Sequence, residues 1–291
     1  MKNHLPKLQF LAAMGIFGTI GLCVRHIGLS SAAVAFVRGL VGSVFLLLFM
    51  RLTRRRFDRP AVKKNLLLLL LSGGAIGVNW ILLFEAYRYT TVATATACYY
   101  LAPVFLLLAS PLIGEKLTVK KLACVAMALV GMVMVSGMVE GGIPKLSELT
   151  GVLCGVGAAL FYATVMVLNK RLSPIPAYDQ TVLQLSAAAI VVLPYMLLTG
   201  GTDISAMTGL GWGLLAVVGV VHTGLAYTLY FGAMGRLNAT AVAVFSYLDP
   251  VIAVLLSALV LREKMTVWNI TGTVLILSGA LLSELPTRKK N

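Results

Sequence analysis

The sequence predicts an all-α integral membrane protein of ten transmembrane helices, arranged as two inverted five-helix repeats. Three observations carry that expectation. Hydrophobic residues make up 59% of the 291 and charged residues 12%, whereas soluble domains run at about 45–50% and about 25%. The apolar residues gather into ten segments, each approaching the roughly 20 residues that one crossing helix needs. The two halves of the chain also share a residue pattern offset by 147 positions. Ten such helices use about 200 residues, which leaves short loops and no separate soluble domain.

In chain order, the first segment (8–27) follows Lys2 and Lys7. No small-residue cleavage pattern follows it, so a retained helix is expected rather than a signal peptide. The second (31–50) stops at a cationic run that begins with Arg51, and the third (66–86) starts after Lys63 and Lys64. The fourth (93–113) contains Pro103 and the ninth (238–261) contains Pro250. Each proline removes one helical hydrogen bond in mid-span and so makes a kink or a hinge. The fifth (119–139) and tenth (266–284) open at Thr118 and Thr266, whose hydroxyls suit the free N–H groups of a helix start. The sixth (149–169) ends at Lys170 and Arg171, the seventh (179–199) starts with Gln180 and Gln184, and the eighth (209–232) starts at Gly209. Glycines at i, i+4, Gly73/Gly77 and Gly151/Gly155, allow helices to approach closely. Cys23, Cys98, Cys124 and Cys154 lie within apolar stretches without CxxC spacing and read as buried free thiols.

The net charge of +14 reflects cations at helix ends, and no nucleic-acid partner is expected. With the N-terminus in the cytoplasm, 18 Lys and Arg fall on that side and 5 on the other, Arg38 lying inside the second segment. The positive-inside rule then places both termini in the cytoplasm.

The repeat is residue-specific. Phe84/Phe231, Ala86/Ala233, Tyr100/Tyr247, Leu101/Leu248 and Pro103/Pro250 match, followed by Glu115/Glu263, Lys116/Lys264 and Thr118/Thr266 after a one-residue slip. Residues 1–142 and 143–291 therefore read as two five-helix halves of one membrane domain. An odd number of crossings per half inverts the second, and the site of such a carrier lies between the halves near the midplane. Tyr-Leu-Ala-Pro (100–103) with Glu-Lys-Leu-Thr (115–118), and Tyr-Leu-Asp-Pro (247–250) with Glu-Lys-Met-Thr (263–266), resemble the signatures of EamA-type transporters of the drug/metabolite transporter superfamily. The resemblance covers essentially the whole chain. It implies a multi-pass carrier of the bacterial inner membrane that moves a small metabolite such as an amino acid, an amine or a related compound. At the helix junctions, Glu115 beside Lys116 and Glu263 beside Lys264 read as structural ion pairs, with functional carboxylates the alternative.

Ionisable groups within a bilayer cost from about 2.5 kcal/mol upward unless they face a cavity or a partner. Asp249 stands out, because it lies directly before Pro250 where the first half has the neutral Ala102. It either contacts cargo or carries protons, or it is a buried carboxylate that satisfies nearby donors. His222, in mid-segment, is a proton relay or a neutral ring bonded to a carbonyl. Asn79 is a cavity group or an interhelical bond. Arg38 and Glu85 fall toward the external ends of their helices and read as a pair forming an outer gate or a bridge, with Arg88 a rival partner for Glu85. Tyr99, Tyr100, Tyr162, Tyr227, Tyr230 and Tyr247 lie inside segments and not only at the interfaces. They line a cavity, where hydroxyls and ring faces beside a carboxylate suit an organic cation, or each is packed in the core. Gln180 and Gln184 line an inner vestibule or bond between helices. The expected site is built from helices 1, 3, 4, 6, 8 and 9.

The sequence contains no HExxH, GxSxG, P-loop or Cys/His cluster, and His4, His26 and His222 are too scattered to hold a metal. No enzyme activity, metal or cofactor is expected. A secondary carrier working by alternating access, with protons as a candidate coupling ion, is the leading expectation. An uncoupled exchanger or channel-like facilitator is the alternative.

Overall fold

The computed structural model describes residues 4–109, 111, 118–135, 139, 146–234, 236–237 and 239–285. Glu115 and Lys116, expected to pair, lie outside these residues. All regular elements among the described residues are helical. In order they are α1 (Leu5–Gly18), α2 (Ile20–Val24), α3 (Ser31–Leu52), α4 (Arg59–Tyr89), α5 (Val92–Tyr99), α6 (Ala102–Leu108), α7 (Val119–Val135) and α8 (Leu146–Lys170). There follow α9 (Ala177–Leu198), α10 (Gly209–Gly219), a π-helical turn (Val220–Leu225), α11 (Ala226–Met234), α12 (Ala239–Ser246), α13 (Leu248–Leu259) and α14 (Val267–Glu284).

Among the described residues, six helical stretches are long and apolar enough to cross a membrane: Leu5–Val24, Ser31–Leu52, Arg59–Tyr89, Leu146–Lys170, Ala177–Leu198 and Gly209–Met234. Shorter apolar helices include Val92–Leu108, Val244–Leu259 and Val267–Ser283. The helix starts follow the capping chemistry of their sequences. Ser30, Asp58, Thr91, Thr208 and Thr266 each accept a backbone N–H of the first turn through the side chain.

The two prolines act alike. Within a helix, a proline ring meets the carbonyl four residues earlier. Residue 99 stands four before Pro103 and residue 246 four before Pro250, and these are the last residues of α5 and α12. Tyr100 and Tyr247 therefore occupy equivalent breaks. Thr19 interrupts the first helix, where its hydroxyl donates to the Ile16 carbonyl at 2.8 Å.

Small residues decide which helices meet. α4 packs against α8 and α9, α3 against α9, α7 against α14, and α1 against α11 and α13. A Cβ on Gly73 would lie 2.6 Å from the Gln184 carbonyl oxygen and from the Ala187 Cβ. A Cβ on Gly131 would lie 2.6 Å from the Gly272 carbonyl oxygen. Any side chain there would push α4 from α9 or α7 from α14. At one end of the bundle, Asp179 of α9 accepts the Asp58 amide at 2.8 Å, and the Asn65 side chain bridges to both the amide and the carbonyl of Ser173. The four cysteines are free thiols.

Candidate functional site

A cavity of about 960 Å³ runs between the helices. The proline breaks put its central groups in place. Tyr100, in the gap between α5 and α6, meets Asp249 on the first turn of α13, and its hydroxyl donates to Asp249 Oδ2 at 2.9 Å. Around that pair stand rings from three elements. Tyr99 and Tyr162 stack at 5.4 Å, Tyr99 meets Tyr100 edge-on at 5.9 Å, and Tyr247 lies 5.8 Å from Tyr100. A second aromatic group comes from α1 and α11, with Phe17–Tyr227 at 5.4 Å and Tyr230–Phe231 at 5.0 Å. All of these residues line the same cavity. A carboxylate among ring faces suits a cation, because the negative face of each ring adds to the attraction of the charge.

Asn169, Ala177, Met234 and Leu237, next to the ends of α8, α9 and α11, line one part of it. Gln180 and Gln184 also line the cavity. Gln184 donates to Ser72 Oγ at 2.6 Å and to Asn169 Oδ1 at 2.7 Å, so this glutamine both faces the cavity and ties three helices together. Asn79 likewise does both, as its amide donates to the Ala158 carbonyl at 2.6 Å and its side chain borders the cavity.

The lining also includes the buried side chains Arg38, Trp80, Tyr87 and Thr96. The expected Arg38–Glu85 pair is not formed. Arg38 lies 4.2 Å over the Trp80 ring, and its Nε donates to Thr223 Oγ1 at 3.2 Å. Glu85 instead pairs with Arg88, one helical turn on in α4, at 3.2 Å. The Glu263–Lys264 pair is likewise replaced. Glu263 Oε1 holds Arg25 at 2.6 Å, and its Oε2 accepts the Val92 amide at 2.9 Å and the Ser257 hydroxyl. Arg25 also donates to the Thr90 carbonyl at 3.0 Å. These bonds tie together the end of α2, the start of α5 and the residues after α13. Position explains the change of partner: Glu263 reaches the free amides at the start of α5, where a carboxylate is favoured.

His222 stands apart from the cavity wall, 2% exposed in the π-helical turn. One ring nitrogen is 2.7 Å from Thr19 Oγ1 and the other 3.3 Å from the Val217 carbonyl oxygen. Pro103 borders the cavity and Pro250 is buried behind it.

The cavity reaches helices beyond the six expected from the sequence, namely α3 through Arg38 and α9 through Gln180, Thr181 and Gln184. Phe17 and Trp80 were not singled out either. Trp80 adjoins Asn79 in sequence, which was the available signal for it. Phe17 offered none beyond its aromatic character in the first helix.

Several comparisons bear on identity. An uncharacterized transporter, YxxF of Bacillus subtilis (strain 168), is 29% identical over 279 residues, covering 95% of this chain and 88% of that protein. A probable amino-acid metabolite efflux pump of Salmonella typhimurium is 27% identical over 242 residues, covering 77% of this chain and 78% of that one. A solved crystal structure superposes with a TM-score of 0.66 at 20% identity, over 96% of each chain, and shows the same fold. The profile of the EamA-like transporter family matches at residues 6–137 and again at 149–285. The chain is a multi-pass membrane protein and a transporter rather than an enzyme, and it belongs to the EamA-like transporter family.

Proposed function

We propose that this protein is a secondary carrier that moves a small amine-bearing metabolite across the bacterial inner membrane by alternating access, with both termini in the cytoplasm. The observation that carries this reading is the Tyr100–Asp249 pair inside an aromatic-walled cavity. The cavity lining at Asn169, Ala177 and Leu237 adjoins the connections that hold Arg171 and Arg236, which the positive-inside rule assigns to the cytoplasm. On that assignment the Arg25–Glu263 tie lies on the outer side. The packing supports two inverted halves. Exchanging the first five segments with the last five turns the α4–α8 contact into the contact of α1 with the eighth segment, and the α5–α8 contact into the α1–α13 contact. The relative named as a probable amino-acid metabolite efflux pump agrees with an amine-bearing cargo. Coupling to protons rests on Asp249, which can lower the cost of lying within the membrane by taking up a proton.

Asp249→Asn keeps shape and removes the charge. In proteoliposomes loaded with labelled amino acids and amines, the variant is expected to lose accumulation driven by a pH gradient. If the carboxylate also binds the cargo's cation, exchange weakens as well, through a KM raised roughly tenfold, the scale of a charge-assisted hydrogen bond. An Asp249→Asn protein that inserts normally and matches the wild type in both accumulation and exchange would remove Asp249 from the site.

A further inference from the structure

We infer that Arg38 is the anion-recognising pole of this cavity, so that the cargo carries a carboxylate as well as the cationic group that Asp249 receives. The inference rests on the carrier reading above and adds to it the second half of the cargo's chemistry.

Arg38 is a cation placed within a membrane-crossing helix and is 6% exposed. Such a group carries a large desolvation cost unless its donors are satisfied. A guanidinium has five N–H donors in a rigid fork. Here Nε donates to Thr223 Oγ1, while the Trp80 and Phe84 rings lie 4.2 Å and 5.9 Å from its central carbon. Among the described residues, the four N–H groups on the two terminal nitrogens have no hydrogen-bond acceptor and no carboxylate within salt-bridge distance. The residue lines the cavity.

The surroundings hold the fork still without neutralising it. Thr223 can accept from Nε because its own proton goes to the Val218 carbonyl, at 3.0 Å. The π-helical turn that contains Thr223 sets this geometry. Trp80 supplies a flat face rather than a counter-charge. A guanidinium serving only to hold helices together would spend its outer N–H groups on carbonyls or carboxylates of neighbouring helices. This one presents them to a cavity that also contains Asp249.

The cavity lining thus holds two groups of opposite sign that do not pair with one another, together with aromatic side chains. A zwitterion bearing a carboxylate and an ammonium group meets both, whereas an amine meets only Asp249. Planar, two-pronged carboxylate recognition is the geometry for which arginine differs from lysine.

The test uses the purified full chain in proteoliposomes with matched pairs of cargo: leucine with 3-methylbutylamine, phenylalanine with phenethylamine, and lysine with cadaverine. Binding is read by thermal protection and transport by counterflow. In the wild type, at least one amino acid is expected to bind about tenfold or more tightly than its decarboxylated partner, the scale of one charge-assisted pair. Arg38→Gln should lower binding of that amino acid about tenfold and leave the amine within about twofold. Arg38→Lys should fall between, keeping charge without the fork. A uniform loss for both members of a pair would overturn the inference, since a purely structural arginine acts on both alike. If Arg38→Gln fails to fold, the wild-type preference and the Lys variant decide alone, and equal binding within every pair would overturn it. Binding of amines only would overturn the anion pole and leave the amine-carrier reading standing. Binding of neither member of any pair would overturn both.

Discussion

The two proline-broken helices share a backbone device and differ in what stands beside it. In the first half, α5 gives way to α6 at Tyr100, and Ala102 contributes a methyl that is 1% exposed among Leu101, Val104 and their neighbours. In the second, α12 gives way to α13 at Tyr247, and Asp249 contributes a half-buried carboxylate that receives the Tyr100 hydroxyl. Pro103 borders the cavity and Pro250 is buried behind it. The same bend thus occurs twice in the chain, and Asp249 where the first has Ala102 makes the two chemically unlike. The lesson concerns symmetry within a repeat: matched positions report packing, and the position where the match fails is the one to examine for chemistry.

The strongest way to break this comparison is to move the helix that presses on the second break. A Cβ on Gly18 of α1 would sit 2.7 Å from the Asp249 carbonyl oxygen and 2.7 Å from the Ile252 Cβ. Since the first of these is backbone, no rotamer relieves it. Gly18→Ala is expected to destabilise the protein by about 1–3 kcal/mol, the cost of overpacking a filled contact, and to reduce transport with it. Gly15→Ala, on the same helix, meets only Ile252 Cδ1 at 4.0 Å. It should be neutral or stabilising by up to about 1 kcal/mol, since alanine favours helix over glycine. Thermal unfolding in detergent separates the two, and equal effects would show that α1 does not bear on the Asp249 turn as the contact implies.

A smaller effect sharpens the same contrast. Tyr100→Phe leaves the ring and removes the hydroxyl that Asp249 accepts, at 2.9 Å. Loss of a hydrogen bond to a charged group is worth about 1.5–3 kcal/mol, so a rise in KM of roughly tenfold is expected with little change in expression. Tyr247→Phe removes the equivalent hydroxyl in the other break and should do less. Transport kinetics decide, and an equal or larger effect for Tyr247 would mean that the two breaks are chemically alike after all.

What the sequence showed and what it hid follow from the range of the forces involved. An all-helical chain with long apolar spans, the helix-opening Thr118 and Thr266, and the bends at Pro103 and Pro250 were legible, because hydropathy, capping and proline stereochemistry act over a few residues. Asp249 was legible as an exception to the internal repeat. The partners of the charged groups were not. Arg38 was expected to meet Glu85 and lies on Trp80, while Glu263 was expected to meet Lys264 and holds Arg25 across the bundle. His222, expected among the site candidates, lies off the cavity wall beside Thr19. Each of these depends on which helices adjoin and how each is rotated, which close approaches such as Gly73 on α9 decide. A π-helical turn like Val220–Leu225 rotates everything after it and leaves no periodic trace in hydropathy.

The smallest expected difference between the halves is at the caps that follow the breaks. Thr266 forms a reciprocal box: its hydroxyl accepts the Asn269 amide at 3.2 Å, and the Asn269 side chain accepts the Thr266 amide at 3.2 Å. Asn269 also donates to the Val135 carbonyl at 3.4 Å, which ties the capped start of α14 to the end of α7. In the first half, the Thr118 hydroxyl accepts the Lys121 amide at 3.3 Å, and a lysine three residues on has no acceptor to return the bond. Removing one N-cap hydroxyl costs about 1 kcal/mol, within a range of about 0.5–2. Thr266→Ala should therefore fall in the upper part of that range and Thr118→Ala in the lower. Pairing Thr266→Ala with Asn269→Ala should cost less than the two single losses added, because both members of a box act through the same bonds. Unfolding midpoints of the four proteins in one detergent measure this. Additive losses at 266 and 269 would mean that the cap is two separate hydrogen bonds, and would leave Asn269 acting only through its tie to α7.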